Sequence, residues 1–400
     1  MDLMTKKLSG LKLETYNIPE FELTRLLYLK NDVEHMCYLS LLKSELKEAL
    51  FWLNELYITG YKKRCFEIIY TVYLLCYAYK NPKLDKKILN SYDKWKKEGS
   101  FESIIQIVIN LIKRKWSIDV LLMYNIIIQE QIEIEPRQYK GRKQKFLENY
   151  DNKYHILLTA LYKRDYDNIC ICIKRIPINK ELYNTLLKYF KDEEKITLDE
   201  DKINDAYDSF ISNELDNDNI KYILNIILLC ITDESEIQQK KINILPDEEV
   251  RIYINELYDY TGIIKWKILK QKRIYGISEE LGMFELERFK LEQLDLGKKL
   301  AMDWIYYASH TPYWREKLDL FDNNWTYDIY NKKVEFTSIE KEEEFEEIYC
   351  LEHDEQSKEI QDKAIKNIKR IGDEVWKIIL YDEEIKISDE FINKLHGVKM

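Results

Sequence analysis

The densest run of side chains able to do chemistry is PRQYKGRKQKF, residues 136–146. Arg137, Lys140, Arg142, Lys143 and Lys145 place five positive charges within nine residues of a chain whose net charge is −10. Such a cluster suits an anionic partner, either nucleic acid or an acidic protein face, because each cation can neutralise a phosphate or carboxylate. Tyr139 offers a ring for base stacking, and Gly141 lets the backbone come close to a phosphate. The same composition also describes a solvated linker between helical domains, so both readings stand at this point.

Other chemistry is sparse. A Gly-Lys pair in LGKKLAM, residues 296–302, lacks the upstream Gly and the Ser/Thr of a phosphate-binding loop, and no nucleophile elbow or zinc-protease helix is present. Cys350 and His353 have ligand-like spacing and Cys170-Ile171-Cys172 is a C-x-C, but a structural zinc site needs further ligands, and none is near in sequence. The five histidines lie far apart. DEEIK, residues 382–386, contains half of a nuclease-like Glu-x-Lys pattern without its partner acid. The chain is therefore expected to be no enzyme, with no catalytic residues, no cofactor and no metal.

These residues need elements to position them, and the composition points to helices. Only 10 Gly and 6 Pro occur in 400 residues, whereas strand-rich folds need frequent turns. Apolar residues make up 46%, enough for a core, and charged residues 34%, enough for a solvated surface. The acidic balance argues against a general DNA-coating role. The odd count of seven cysteines, mostly in apolar runs, predicts buried free thiols in a reducing compartment. MDLMTKKLSG has no apolar core of a secretory signal.

FWLNELYITGYKKRCFEIIYTVYLLCYAYKNPK, residues 51–83, is rich in apolar side chains but too often interrupted by charge to cross a membrane. Leu39, Leu42, Leu46, Leu50, Leu53 and Leu56 step by three or four, as do Phe66, Ile69, Tyr73 and Cys76. That spacing predicts helices near 31–43, 45–58 and 61–80 packed on a shared core. Ser44 is expected to cap a helix start, Gly60 to end a helix, and Asn81-Pro82 to stop the third. Ile104–Ile112 reads as helix despite its β-branched residues, with a break at Trp116-Ser117. KDEEK and ELDNDN are expected to be exposed connectors. A second helical region runs from Asn149 to about Gln271, with a helix start at Pro246. In the last third Pro312 opens an element, NWTYDIYNKKVEFTS alternates like a β-hairpin near 325–336, and EKEEEFEEIY returns to helix with Phe345, Ile348 and Tyr349 on its apolar face. NELYITG and NELYDYTG look alike, but no fixed-period repeat runs through the chain.

The fold class expected is mainly α, a helical-hairpin array or multi-helix bundle with a small β-hairpin in the C-terminal third. The expected organisation is an N-terminal helical domain (1–134), a basic linker or loop (135–148), a second helical region (149–300) and a C-terminal region (301–400).

Two blocks also carry a resemblance. RLLYLKNDVEHMCYLSLLKSELKEALFWLNELYITGYKKRCFEIIYTVYLLCYAYKNPK near the start, and TPYWREKLDLFDNN, KVEF and EHDEQSKEIQ near the end, resemble a helical protein family of nucleocytoplasmic large DNA viruses. That family has no assigned activity, so the resemblance implies a giant-virus protein and carries no catalytic residues across. A weaker similarity, through Leu46, Ala49, Leu50, Trp52 and Leu53, is to the C-terminal helical domain of clamp-loader-related ATPases, and implies docking or oligomerisation only.

The expected function is a non-enzymatic helical scaffold or adaptor of a large DNA virus, acting through viral or host proteins without membrane contact. The alternatives are a virion structural component, as a minor capsid or core protein, and a nucleic-acid-associated replication or transcription factor. The corresponding location is the host cytoplasm, the viral factory or the virion.

Overall fold

The computed structural model describes residues 22–26, 28–128, 135–196, 214–216, 218–238, 241–262 and 304–349. The chain is mainly helical, with one two-stranded antiparallel sheet among the described residues. The residues group into two compact units. Of the described residues, those within 22–35, 55–62 and 258–349 form one, and those within 36–54 and 63–257 the other.

The leucine spacing does form helices: α1 (Lys30–Leu42), α2 (Leu46–Thr59) and α3 (Lys62–Val72). Leu50, Leu53, Phe66, Ile69 and Tyr73 are buried, while Leu46, the first residue of α2, is only half-buried. Ser44 does not open α2. It sits at φ 62°, where its N–H donates to the Leu41 carbonyl and the next N–H, of Glu45, to that of Ser40, so it closes α1. A left-handed residue after a helix satisfies its last carbonyls. Gly60 closes α2 in the same way at φ 112°, with the Tyr61 N–H on the Leu56 carbonyl.

The third helix does not run regularly to residue 80. It widens into a π-helical turn over Tyr73–Tyr77, where the Ala78 N–H reaches back to the Tyr73 carbonyl. A π turn shifts the hydrogen-bond ladder and leaves backbone groups to be paired elsewhere. Here a buried side chain from α10 (Asn219–Ile231) supplies them. Asn225 Nδ2 donates to the Leu74 carbonyl at 2.7 Å, and its Oδ1 accepts the Tyr79 N–H at 3.0 Å.

The remaining helices of this unit are α4 (Leu84–Glu98), α5 (Glu102–Ile112), α6 (Asp119–Ile128), α7 (His155–Lys163), α8 (Tyr166–Arg175), α9 (Lys180–Asp192) and α11 (Asp247–Gly262), whose residues from Tyr258 on fall in the other unit. The isoleucine-rich α5 is helical because both of its faces are buried, which overrides β propensity. α6 packs on α8, on α10 and on the π turn, and α7 on α8. The ELDNDN connector is not wholly exposed: Leu215 is buried, and Asp216 receives the Lys221 ammonium at 2.5 Å.

In the other unit, a pair of tryptophans organises the core. Trp304 of α12 (Trp304–Ala308) meets Trp314 of α13 (Pro312–Phe321) at 5.3 Å, with Pro312 at the helix start as expected. Phe345 and Tyr349, four residues apart on α14 (Ile339–Tyr349), cover them at 6.3 Å from Trp304 and 5.1 Å from Trp314. Ile348 is not on that face and is 43% exposed, because the i, i+4 pair takes the side turned to the tryptophans. The hairpin β1 (Thr326–Asp328) and β2 (Lys333–Glu335) pairs Tyr327 with Val334. Arg25 and Glu55 form a buried ion pair at 2.8 Å, and the other Glu55 oxygen takes the Leu26 N–H.

Candidate functional site

The basic stretch has no helix or strand up to Gln144 and ends in a 3-10 turn over Lys145–Asn149. It is tied down by three residues of the α8 start. The Arg137 N–H donates to Asn168 Oδ1 at 2.8 Å, and Asn168 Nδ2 donates back to the Arg137 carbonyl at 3.1 Å and to the Tyr139 hydroxyl at 2.9 Å. Asp165, the N-cap of α8, accepts the Arg137 guanidinium on Oδ1 at 2.7 Å and the Tyr139 hydroxyl on Oδ2 at 2.8 Å. Asp167 lies 3.9 Å from the same guanidinium. Burial pushes the Asp167 carboxyl up, with Arg137 pulling the other way. Burial likewise pushes the Tyr139 hydroxyl up, to about 12.

This network divides the predicted site residues into two sets. Arg137 and Tyr139 anchor the loop. Tyr139 is half-buried, and the Lys163 ammonium lies 4.3 Å from its ring centroid, which leaves it poorly placed to stack on a base. Lys140, Arg142, Lys143 and Lys145 are exposed and make no ion pair with any described residue. Three nearby cations are paired: Arg164 forks onto Glu194 at 3.1 and 2.9 Å, Lys153 meets Glu181 at 2.5 Å, and Arg175 meets Glu135 at 2.7 Å. Gly141 sits at φ 115° with open space around its Cα, a backbone shape that L side chains resist.

A ring cluster follows the loop. Phe146 lies 5.7 Å from both Tyr162 and Tyr189 and 6.3 Å from Tyr150. Tyr162 is 52% exposed and meets the end of the loop through Phe146. The sequence did not single out Asn168, Asp165, Tyr162 or Lys163. The DYDN segment after Arg164 has the composition of a helix cap, but nothing local shows that its side chains reach a loop about thirty positions earlier.

The other chemical candidates behave as structural groups where they are described. Cys170 and Cys172 are buried, and burial pushes both thiols up, Cys172 to about 12, away from the thiolate that binds metal or attacks. Among the described residues no group of three or more His, Cys, Asp or Glu is placed to hold a metal ion, and no helix is long and apolar enough to cross a membrane. A surface depression of about 440 Å³ is lined by His310, Pro312, Arg315, Glu316, Asp319 and Leu320. His310 Nδ1 bonds the Tyr306 carbonyl at 2.7 Å, and burial holds the imidazole below its usual pKa. Cys350, His353 and the 296–302 and 382–386 stretches lie outside the described residues.

Comparison of the chain with protein-family models, with curated proteins and with solved structures finds no match.

Proposed function

We propose that this chain is a helical adaptor without enzymatic activity, and that the 140–145 loop is a docking edge for an acidic face of a partner protein. One observation carries the reading: Lys140, Arg142, Lys143 and Lys145 stand exposed on a loop fixed to α8 by Asn168 and Asp165, in a chain of net charge −10. A linker needs no such fixing. A docking edge gains from it, because a pre-ordered loop loses little entropy on binding. Opposite charge on the partner would steer association and fix register.

The viral setting, in the host cytoplasm or viral factory, rests on the resemblance of the two sequence blocks. A virion structural role shares the same physical basis. Nucleic acid is the second reading, favoured by the exposed Tyr162 and the exposed cations of the loop and opposed by the acidic balance of the chain.

The test is replacement of Lys140, Arg142, Lys143 and Lys145 by Gln, followed by affinity capture from infected cells and proteomics of purified virions. Loop-dependent recovery of protein partners supports the adaptor. Abundant recovery from virions favours the structural component, and binding of the wild type to single-stranded nucleic acid with a steep salt slope favours the second reading.

A further inference from the structure

The segment 241–245, Lys-Ile-Asn-Ile-Leu, has no helix or strand of its own, yet it is held along α5 by a regular set of bonds. Gln106 Nε2 donates to the Leu245 carbonyl at 2.9 Å and its Oε1 accepts the Leu245 N–H at 3.1 Å. Four residues on, Asn110 Nδ2 donates to the Asn243 carbonyl at 2.7 Å and its Oδ1 accepts the Asn243 N–H at 2.8 Å. At the next step Arg114, just beyond the helix end, donates from Nη2 to the Lys241 carbonyl at 3.3 Å. Positions 106, 110 and 114 therefore read positions 245, 243 and 241, in antiparallel order.

The spacing has a simple cause. Four residues of α-helix rise about 6 Å, and two residues of extended chain rise about 6.6–6.8 Å, so the two repeats keep step over this length. Every one of these bonds goes to the backbone of the strap, and none to its side chains. The arrangement recognises extended peptide as such. The strap adds one buried anchor, Leu245, while Ile244 is 73% exposed and Lys241 and Asn243 face solvent. A segment held by backbone bonds and a single leucine is of the kind that opens locally while the core stays folded.

We propose that the α5 edge formed by Gln106, Asn110 and Arg114 is a docking site for an extended segment of a partner protein, and that residues 241–245 fill it in cis as an exchangeable stand-in. The partner segment carries free N–H groups at the positions matching Asn243 and Leu245, hence no proline there, and an aliphatic side chain matching Leu245. Backbone bonds supply affinity and the aliphatic position supplies selectivity, as in other recognition of extended peptides. The tethered strap acts at an effective concentration in the millimolar range, so a partner peptide competes only when it binds more tightly or when the strap is displaced. The proposal takes from the adaptor reading only that the partner is a protein.

The experiment uses the full chain and a labelled peptide of this chain's own residues 240–248, KKINILPDE. Residues 241–245 are replaced by Gly-Ser-Pro-Ser-Pro, which removes the two N–H groups that Asn110 and Gln106 accept and the leucine anchor, and peptide binding is measured by fluorescence anisotropy, with helicity followed by circular dichroism. The strap-replaced chain is expected to bind the peptide at least tenfold more tightly than the wild type. Adding Asn110→Leu, or using a peptide with proline at the Asn243 position, is expected to abolish binding. A folded, strap-replaced chain that ignores the peptide, or that binds it equally with Asn110→Leu, overturns the proposal.

If strap replacement unfolds the chain, amide exchange in the wild type decides. Asn243 and Leu245 amides exchanging faster than those of α5, and faster still with millimolar peptide, support an exchangeable strap. Exchange only at the rate of the α5 amides identifies a permanent staple and overturns it. Neither readout involves the 140–145 loop, so failure here leaves the loop experiment independent.

Discussion

Asp85 offers a quantitative check on the packing of the α3–α4 region. Its Oδ1 accepts the Tyr70 hydroxyl at 2.9 Å, and burial pushes the carboxyl up from 3.8 to about 6, with the Tyr70 bond pulling the other way. The folded state thus holds this proton more tightly than the unfolded chain does. As pH rises from about 4 to about 6 the folded protein gives up a proton it prefers to keep, so stability falls through that window and is level above it. The shift corresponds to about 3 kcal/mol at 1.36 kcal/mol per pH unit. Asp85 also lies in the first turn of α4, where the helix dipole favours an anion by about 0.3–1 kcal/mol, and the carboxyl keeps some exposure to water. Asp85→Asn keeps an oxygen for Tyr70 and removes the charge. It should stabilise the protein by roughly 1–2 kcal/mol at pH 7.5 and leave stability within about 0.5 kcal/mol of wild type at pH 4. Urea unfolding followed by circular dichroism, with both proteins measured from pH 4 to 8, reads the difference directly. A variant that is less stable at pH 7.5, or a difference that does not change with pH, would refute the reasoning.

Three further outcomes follow from the packing. Leu50→Ala, at a site 2% exposed, should cost about 2–5 kcal/mol in thermal or urea unfolding; an unchanged melting curve would show that Leu50 is not core. Asn225→Ala strips the Leu74 carbonyl and the Tyr79 N–H of their partner and should cost about 1–3 kcal/mol, with faster exchange at the Tyr79 amide; unchanged protection there would mean the π turn is paired another way. Gly60→Ala meets both a φ of 112° and Pro312 Cβ 2.5 Å from the new methyl, so a loss of about 1–3 kcal/mol is expected, and a neutral result would contradict that close approach.

The local features of the fold were legible because they are written in local spacing. The leucines from Leu39 to Leu56, Gly60 after α2, Pro312 at the α13 start and the turn at Asn331-Lys332 each announce an element through residues a few positions apart. Ser44 is ambiguous in sequence because Ser both caps and ends helices, and only its left-handed φ separates the two. The π turn could not be read, since its stability depends on Asn225, which lies about 150 positions further on. The candidate site was half legible. Its charge density stood out, but the division into anchors (Arg137, Tyr139) and outward cations depends on Asp165 and Asn168. The strap on α5 left no sequence signal either, because Gln106 and Asn110 bond to backbone, which carries no residue code.

The adaptor reading is tested most directly by quantitative capture with the full chain and with its Lys140→Gln, Arg142→Gln, Lys143→Gln, Lys145→Gln form, from nuclease-treated infected-cell extract at two salt concentrations. The account predicts a defined protein partner that survives nuclease, weakens at higher salt and is lost with the four substitutions. Equal recovery by both forms, or a partner lost on nuclease treatment alone, would contradict it.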